Sequence, residues 1–150
     1  MTNESIGEHK SSLGNIDANI LALLCYIVTA ILGFIPVIKY VAWLAPLIIF
    51  LIEKKSSFVK YHAMQAFLLN LVGLIIGLIL GLIFSAIFAA ALIANPYGFL
   101  GAAGVVSVIS LIVSIVILIF SILAMIGAYK YQEYQIPLLG PLAHKITNKG

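Results

Sequence analysis

Arginine is missing from this chain, and charge of either sign is scarce. All eight basic residues are lysines, set against five acids, and charged residues make up 9% of the 150 positions. Arg supplies the planar fork that grips phosphates and carboxylates bidentately, so its absence argues against a nucleic-acid or nucleotide partner. Cysteine is nearly absent too. Cys25 stands alone in an apolar segment, which excludes an internal disulfide and a thiolate metal set and leaves a small buried hydrophobe. Three of the acids (Glu4, Glu8 and Asp17) crowd into the first residues, while Glu53 and Glu133 stand apart. No Ser–His or carboxylate pair falls at a catalytic spacing, and the chain reads as non-enzymatic. His9 and His144 lie near the ends and His62 has no ligand-spaced neighbour, so neither a metal nor any other cofactor is expected.

What is present is apolar. The sequence is 63% hydrophobic, well above the roughly half of ordinary globular domains. From Tyr61 to Tyr129 no charged side chain occurs, and the only clear break is Asn95-Pro96-Tyr97-Gly98. A soluble surface has to carry charge, so this tract reads as two membrane crossings joined by a turn. Residues 1–19 are polar and do not resemble a secretory signal; they read as a disordered tail.

Four apolar blocks follow the tail: Ile20–Ile35, Tyr40–Ile52, about Ala63–Ala94, and Phe99–Tyr129. At about 1.5 Å per residue the last two exceed about 40 Å, more than the hydrocarbon core requires. The first two, with 16 and 13 residues, are short of the about 20 that a span needs. They fit short crossings, a re-entrant pair or one kinked crossing. A single crossing would hold Lys39 near mid-membrane at a cost of at least about 2.5 kcal/mol, which favours two. The expected fold is therefore all-α, a polytopic integral membrane protein. It is a four-helix bundle with two short N-terminal and two long C-terminal helices over residues 20–135. A flexible or amphipathic tail covers 136–150. Lys10, Lys54, Lys55, Lys60, Lys130, Lys145 and Lys149 then share one side and only Lys39 takes the other. By the positive-inside rule both termini are cytoplasmic, in a multi-pass protein of the cell membrane. Tyr61, Tyr129, Tyr131 and Tyr134 mark one interface, Tyr40 and Tyr97 the other. Tyr26 belongs to neither and needs a hydrogen-bond partner.

Small residues predict how the long helices pack. Gly73, Gly77 and Gly81 recur every four residues, and Ser107, Ser114 and Ser121 every seven. Such faces let helices approach closely in lipid, so the third and fourth helices are expected to pack as a hairpin about them. The competing reading is a polar path lined by the same residues. Asn70 is expected to clamp two helices through a hydrogen bond.

The most distinctive stretches flank the apolar tract. In Glu53-Lys-Lys-Ser-Ser-Phe-Val-Lys-Tyr-His-Ala-Met-Gln-Ala-Phe67, Ser56 or Ser57 can cap a helix, and His62 and Gln65 share one face. With Lys60, Asn70, Tyr134 and Pro137 they are the candidate binding residues; the alternative is an interfacial turn without a ligand. Pro137 is expected to end the fourth helix near Gln135.

Phe58-Val59-x-x-His62-Ala63-x-Gln65-Ala66, with Glu133-Tyr134-x-Ile136-Pro137-Leu138-Leu139-Gly140 downstream, resembles a family of small prokaryotic membrane proteins. That family is grouped with a chloroplast inner-envelope import component (Tic-like). The resemblance covers most of the chain from Leu21 onward, and Leu21-Ala-Leu-Leu-Cys-Tyr26 fits its first helix. The family usually has a glycine near Tyr131; with Tyr there, the fourth helix is expected to run on toward the proline. The resemblance implies support of protein translocation or assembly of a membrane complex. The alternative is an oligomeric small-solute or ion transporter or channel. Expected partners are the lipid bilayer and either a further membrane protein or copies of the same chain.

Overall fold

The computed structural model describes residues 5–94 and 96–148. The chain is all-helical: α1 is Ala18–Gly33, α2 Ala45–Ile52, α3 Ser57–Ala94, α4 Pro96–Tyr129 and α5 Leu139–Thr147. Two 3-10 turns, Ile38–Tyr40 and Ala42–Leu44, join α1 to α2. Two short and two long apolar helices are thus present as the hydropathy pattern requires, and α5 is an addition to it. Asn95, at the turn expected between the long helices, lies outside the described residues. α4 already begins at Pro96, a residue type whose fixed φ and missing N–H suit the first helical position.

The chain divides into two compact units, Met1–Asn70 with Phe120–Gly150 and Leu71–Ile119. In the first, residues of all five helices meet. Ala18, Leu21 and Ala22 of α1, Phe58 and Val59 of α3 and Ala128 of α4 form one apolar cluster, with Ile6, Leu13, Ile49 and Tyr131 against it. Tyr61, Met64 and Leu68 of α3 form another with Ala143 of α5, bordered by Leu47, Phe50, Leu139 and Ile146. Lys39 is exposed in the turn between α1 and α2, its ammonium 5.1 Å from the centre of the Tyr40 ring. Trp43 stacks on Phe67 at 5.8 Å.

Two expectations for this unit are corrected. Residues 5–17 are not a disordered tail. The Ile6 N–H donates to the Tyr131 carbonyl at 2.8 Å, Ala18 N–H to His9 O at 3.0 Å, and Lys10 pairs with Asp17. A polar composition gives no core of its own, but this strap has donors that the helix ends accept. Nor does α4 run on toward Pro137; it stops at Tyr129. Gln132 N–H returns to Gly127 O at 2.9 Å and Tyr131 N–H to Ala128 O at 3.1 Å, with Tyr131 left-handed at φ 55°. This is the Schellman closure usually built on glycine. The left-handed region costs a side-chain-bearing residue about 1 kcal/mol, and here the Tyr131 ring stacks on Phe58 at 5.7 Å.

The second unit holds the middle of the long helices. Within the candidate spans Ser57–Ile93 and Leu100–Tyr129 the most apolar 18-residue stretches have mean hydropathies of 2.8 and 3.1 and are almost wholly unburied. Leu74, Leu78, Leu82, Leu111, Ile115 and Leu118 all face outward. A core helix of a soluble protein would cover such side chains; these are long and apolar enough to cross a membrane and need lipid as their solvent. The glycine and serine faces do look at one another, but they do not close. A groove of about 610 Å³ is lined by Gly73, Gly77, Gly81, Ser107, Ser110 and Ser114 among others. Only at Gly73 would an added Cβ meet a neighbour, Ile117 Cδ1 at 3.3 Å; at Gly77 and Gly81 it would meet nothing within 4 Å. Close packing about these residues is therefore corrected to an open groove. Bulky flanking side chains such as Ile76, Leu80 and Leu111 line it as well. The hydroxyls of Ser110 and Ser114 turn inward to the carbonyls of Val106 and Ser110, each at 2.8 Å, and need no partner across the groove. Ser121, next in the serine series, belongs to the first unit and is half-buried.

Gly77→Ala and Gly81→Ala should leave thermal stability in detergent unchanged or raised, by up to about 1 kcal/mol each from helix propensity. Gly127→Ala should lower it, because its Cβ would lie 2.7 Å from Tyr134 Cβ and 3.2 Å from Gln132 O. Destabilisation by the first pair equal to that of the third would mean that the groove is closed in the membrane protein.

Candidate functional site

Polar side chains buried among helix ends cannot turn to water, so each has to find its hydrogen bonds inside. Gln65, two turns into α3 and fully buried, uses all its capacity. Its Oε1 accepts from the Tyr61 hydroxyl at 2.9 Å and from the Ile136 N–H at 3.1 Å. Its Nε2 donates to the Tyr26 hydroxyl and to the Tyr134 carbonyl, both at 3.0 Å. One amide thereby joins α1, α3 and the segment after α4.

His62, three residues earlier on the same face and also fully buried, extends the network. Its Nδ1 accepts from the Tyr26 hydroxyl at 3.1 Å and its Nε2 donates to Gln132 O at 3.2 Å. Phe58 and Tyr61 wall the imidazole edge-on, with ring centres 4.7 and 5.2 Å away. Tyr26 thus has the partners that its mid-helix position demanded. At the rim, Glu133 pairs with His144 of α5 at 2.8 Å, and the His144 ring lies 4.4 Å from Tyr61.

A second network centres on Glu53, the residue that ends α2. Its carboxylate is buried and accepts from Ser11 Oγ at 2.6 Å and from Ser12 through both Oγ at 2.7 Å and N–H at 3.1 Å. It also takes the N–H groups of Lys55 at 2.8 Å and Ser56 at 3.0 Å, ahead of the first turn of α3. Ser56 Oγ in turn caps α3 by accepting the Val59 N–H at 3.1 Å, and His9 Nε2 reaches the same hydroxyl at 2.7 Å. Burial alone would raise the Glu53 carboxyl, but the donors from Ser11, Ser12, Ser56 and Lys55 outweigh it and hold the pKa down to about 2.

Of the candidate residues, His62, Gln65 and Tyr134 come together, Tyr134 through its backbone carbonyl. Asn70 stands apart as a clamp, donating to Thr29 Oγ1 of α1 at 3.2 Å. Lys60 points outward, its ammonium 5.8 Å from the centre of the Phe50 ring, and Pro137 is exposed in the turn before α5. These two networks, at the start of α1, the end of α2, the start of α3 and the end of α4 with α5, form a cap. Its donors and acceptors serve one another, the buried Thr147 hydroxyl of α5 excepted. Sequence reasoning missed Glu53, His9, Ser11 and Ser12. The spacing Glu53-x-x-Ser56 ahead of a helix start was a legible sign, because a carboxylate there meets unpaired N–H groups. The Ser11–Ser12 contact, some forty residues away, left no local trace. Among the described residues no three His, Cys, Asp or Glu side chains converge to hold a metal ion.

A folded-state pKa below the unfolded value stabilises the fold above the unfolded value and is lost as pH falls through the folded one. For Glu53 that window runs from about 4.5 down to about 2. Unfolding followed across it should show this slope in the parent chain and lose it in Glu53→Gln. Gln65→Leu should instead lower stability at every pH by about 2–4 kcal/mol, because it strands several buried partners. An unchanged slope in Glu53→Gln would refute the assignment.

No curated protein and no solved structure matches the chain. One family model does, over residues 17–143, from the N-terminal edge of α1 into α5. It is described as the magnetosome magnetite crystal formation protein family (MamF/MmsF). This overturns the Tic-like resemblance together with the protein-translocation role drawn from it, and it gives the transporter alternative no support. The motifs that carried the resemblance, Phe58 to Ala66 and Glu133 to Gly140, are the pieces of the cap. They report how helix ends are tied, which differing activities can share. With the match spanning most of its length, the chain belongs to the magnetosome magnetite crystal formation protein family.

Proposed function

We propose that this chain is a non-enzymatic, multi-pass membrane protein that takes part in magnetite crystal formation as a structural element of the surrounding membrane, not as a ligand of iron. The observation that carries this reading is the closure of the cap. The Glu53 carboxylate takes donors from four residues, Glu133 pairs with His144, and both nitrogens of His62 and of His9 are engaged. Groups so engaged are poor metal ligands, since each bond to a cation would first break an existing hydrogen bond, most of them wholly or partly buried. Cys25 is buried and donates to the Leu21 carbonyl at 3.2 Å, which suits packing better than chemistry.

The arrangement in the bilayer follows from the helix ends. The start of α1, the end of α2, the start of α3 and the end of α4 all enter the cap, with Lys54, Lys55, Lys60, Lys130 and Lys145 on the same elements. At about 1.5 Å per residue the eight-residue α2 rises only about 12 Å, too little for a crossing, so α1 and α2 form a re-entrant hairpin that enters and returns on the cap side. The Tyr40 ring, 5.1 Å from the Lys39 ammonium, offsets part of the cost that otherwise argues for two crossings. The long helices make the two full crossings, and the lysine-rich cap is cytoplasmic with both ends of the chain. Apolar exposure along the long helices and the open groove suit assembly with further membrane helices, from copies of this chain or from another protein.

In a magnetite-forming cell deprived of its own family member, expression of this chain should restore crystal dimensions measured by electron microscopy, and Cys25→Ser should restore them equally. Crystals that stay abnormal with the protein inserted in the membrane would sink the role; failure of Cys25→Ser alone would sink its non-enzymatic part. For the topology, Lys39→Cys should resist a membrane-impermeant thiol reagent from either side. Free labelling from the face opposite the cap would show two short crossings in place of the re-entrant hairpin.

A further inference from the structure

The acids and lysines of the cap have opposite fates. Glu53 and Glu133 are buried and held by internal donors, and Asp17 is paired with Lys10. Lys54, Lys55, Lys130 and Lys145 are exposed and Lys60 half so, leaving Glu8 as the one other exposed carboxylate among the described residues. The outer surface of the cap is therefore strongly cationic, although the chain as a whole carries only +3.

These lysines also stand at a particular depth. On three separate elements an exposed apolar side chain lies within a few residues of an exposed lysine. Leu51, 66% exposed, and Ile52 precede Lys54 and Lys55; Tyr129, 61% exposed, precedes Lys130. In α5, Leu142 and Lys145 are three apart and share a face, just after Leu138, which is 86% exposed. The opposite face of α5, with Gly140 and Ala143, is buried. Nine residues rise only about 13 Å, so α5 cannot span and its outward face suits the plane of an interface. An apolar group beside an ammonium, repeated on three elements of the first unit, matches the boundary where acyl chains give way to phosphates.

We propose that this end of the chain is a binding collar for anionic phospholipid headgroups, with Lys54, Lys55, Lys130 and Lys145 taking the phosphates and Leu51, Leu138 and Leu142 the adjoining acyl chains. Charge complementarity selects the occupant: the collar offers compact ammonium groups, which bind phosphate as point charges, and lacks the carboxylates that a basic partner would need. The proposal rests on the membrane reading above, and the two fail differently. A chain that stays soluble without detergent sinks both, whereas a membrane-inserted chain without lipid preference sinks this one alone.

The full chain, reconstituted in phosphatidylcholine bilayers, is probed by electron spin resonance with spin-labelled phosphatidylglycerol and phosphatidylcholine. Phosphatidylglycerol should be retained at least about threefold more strongly at low salt, and the preference should vanish near 1 M salt, where screening acts within about 3 Å. It should also vanish when all four lysines are changed to Gln and persist when they are changed to Arg, which keeps charge and guards against misfolding. Equal retention of the two lipids, or a preference that survives the Gln changes, would overturn the collar. Displacement by millimolar inorganic phosphate would reassign it to a free anion, and displacement by polyglutamate to an acidic protein; either result also overturns it.

Discussion

One side-chain amide sets the terms for the rest of this structure. Gln65 sits inside a long apolar helix where neither water nor lipid can serve it, and its four hydrogen bonds reach Tyr26, Tyr61, Tyr134 and Ile136. A buried amide left partly unpaired costs about 1–3 kcal/mol per lost bond, so the elements that carry its partners have one arrangement open to them. α1 must run alongside the start of α3 to deliver Tyr26, and the chain must turn sharply after α4 to deliver the Tyr134 carbonyl. That turn forces Tyr131 into the left-handed region and requires Gly127 to be without a side chain. Glu53 performs the same service at the rim, fastening the N-terminal strap to the connector between α2 and α3.

The two units obey different solvents. In the first, polar networks and apolar clusters alternate and most side chains of α3 are covered. In the second, large aliphatic side chains stand outward in numbers that water would not tolerate. In lipid, apolar burial does not draw helices together, and a small-residue face by itself need not close. The bulky residues beside Gly77 and Gly81 keep the groove open, and the serines hydrogen-bond within their own helix. A spacing of four or seven residues tells which face is small and says nothing of what stands on either side of it.

The same distinction explains the misassigned family. Phe58, His62, Gln65 and the Ile136-Pro137 turn formed a recognisable pattern, and all of them contribute to tying helix ends together. A pattern made of structural residues is shared wherever that closure is used, so it pointed to a kind of architecture. Family membership had to come from the match along residues 17–143, which placed the chain with the magnetite crystal formation proteins and not with an import component.

By itself the sequence determined what depends on composition and short spacing: helical class, two long apolar helices, a serine cap at Ser56 or Ser57, the demand of Tyr26 for a partner, and the shared face of His62 and Gln65. These follow from periodicity and from the cost of unpaired groups, which act within a few residues. Only the tertiary structure decided that residues 5–17 fold as a strap, that Glu53 gathers Ser11 and Ser12, that α4 ends at Tyr129 and that the glycine groove stays open. Each of those depends on partners far along the chain, and distance in sequence leaves no mark on local composition.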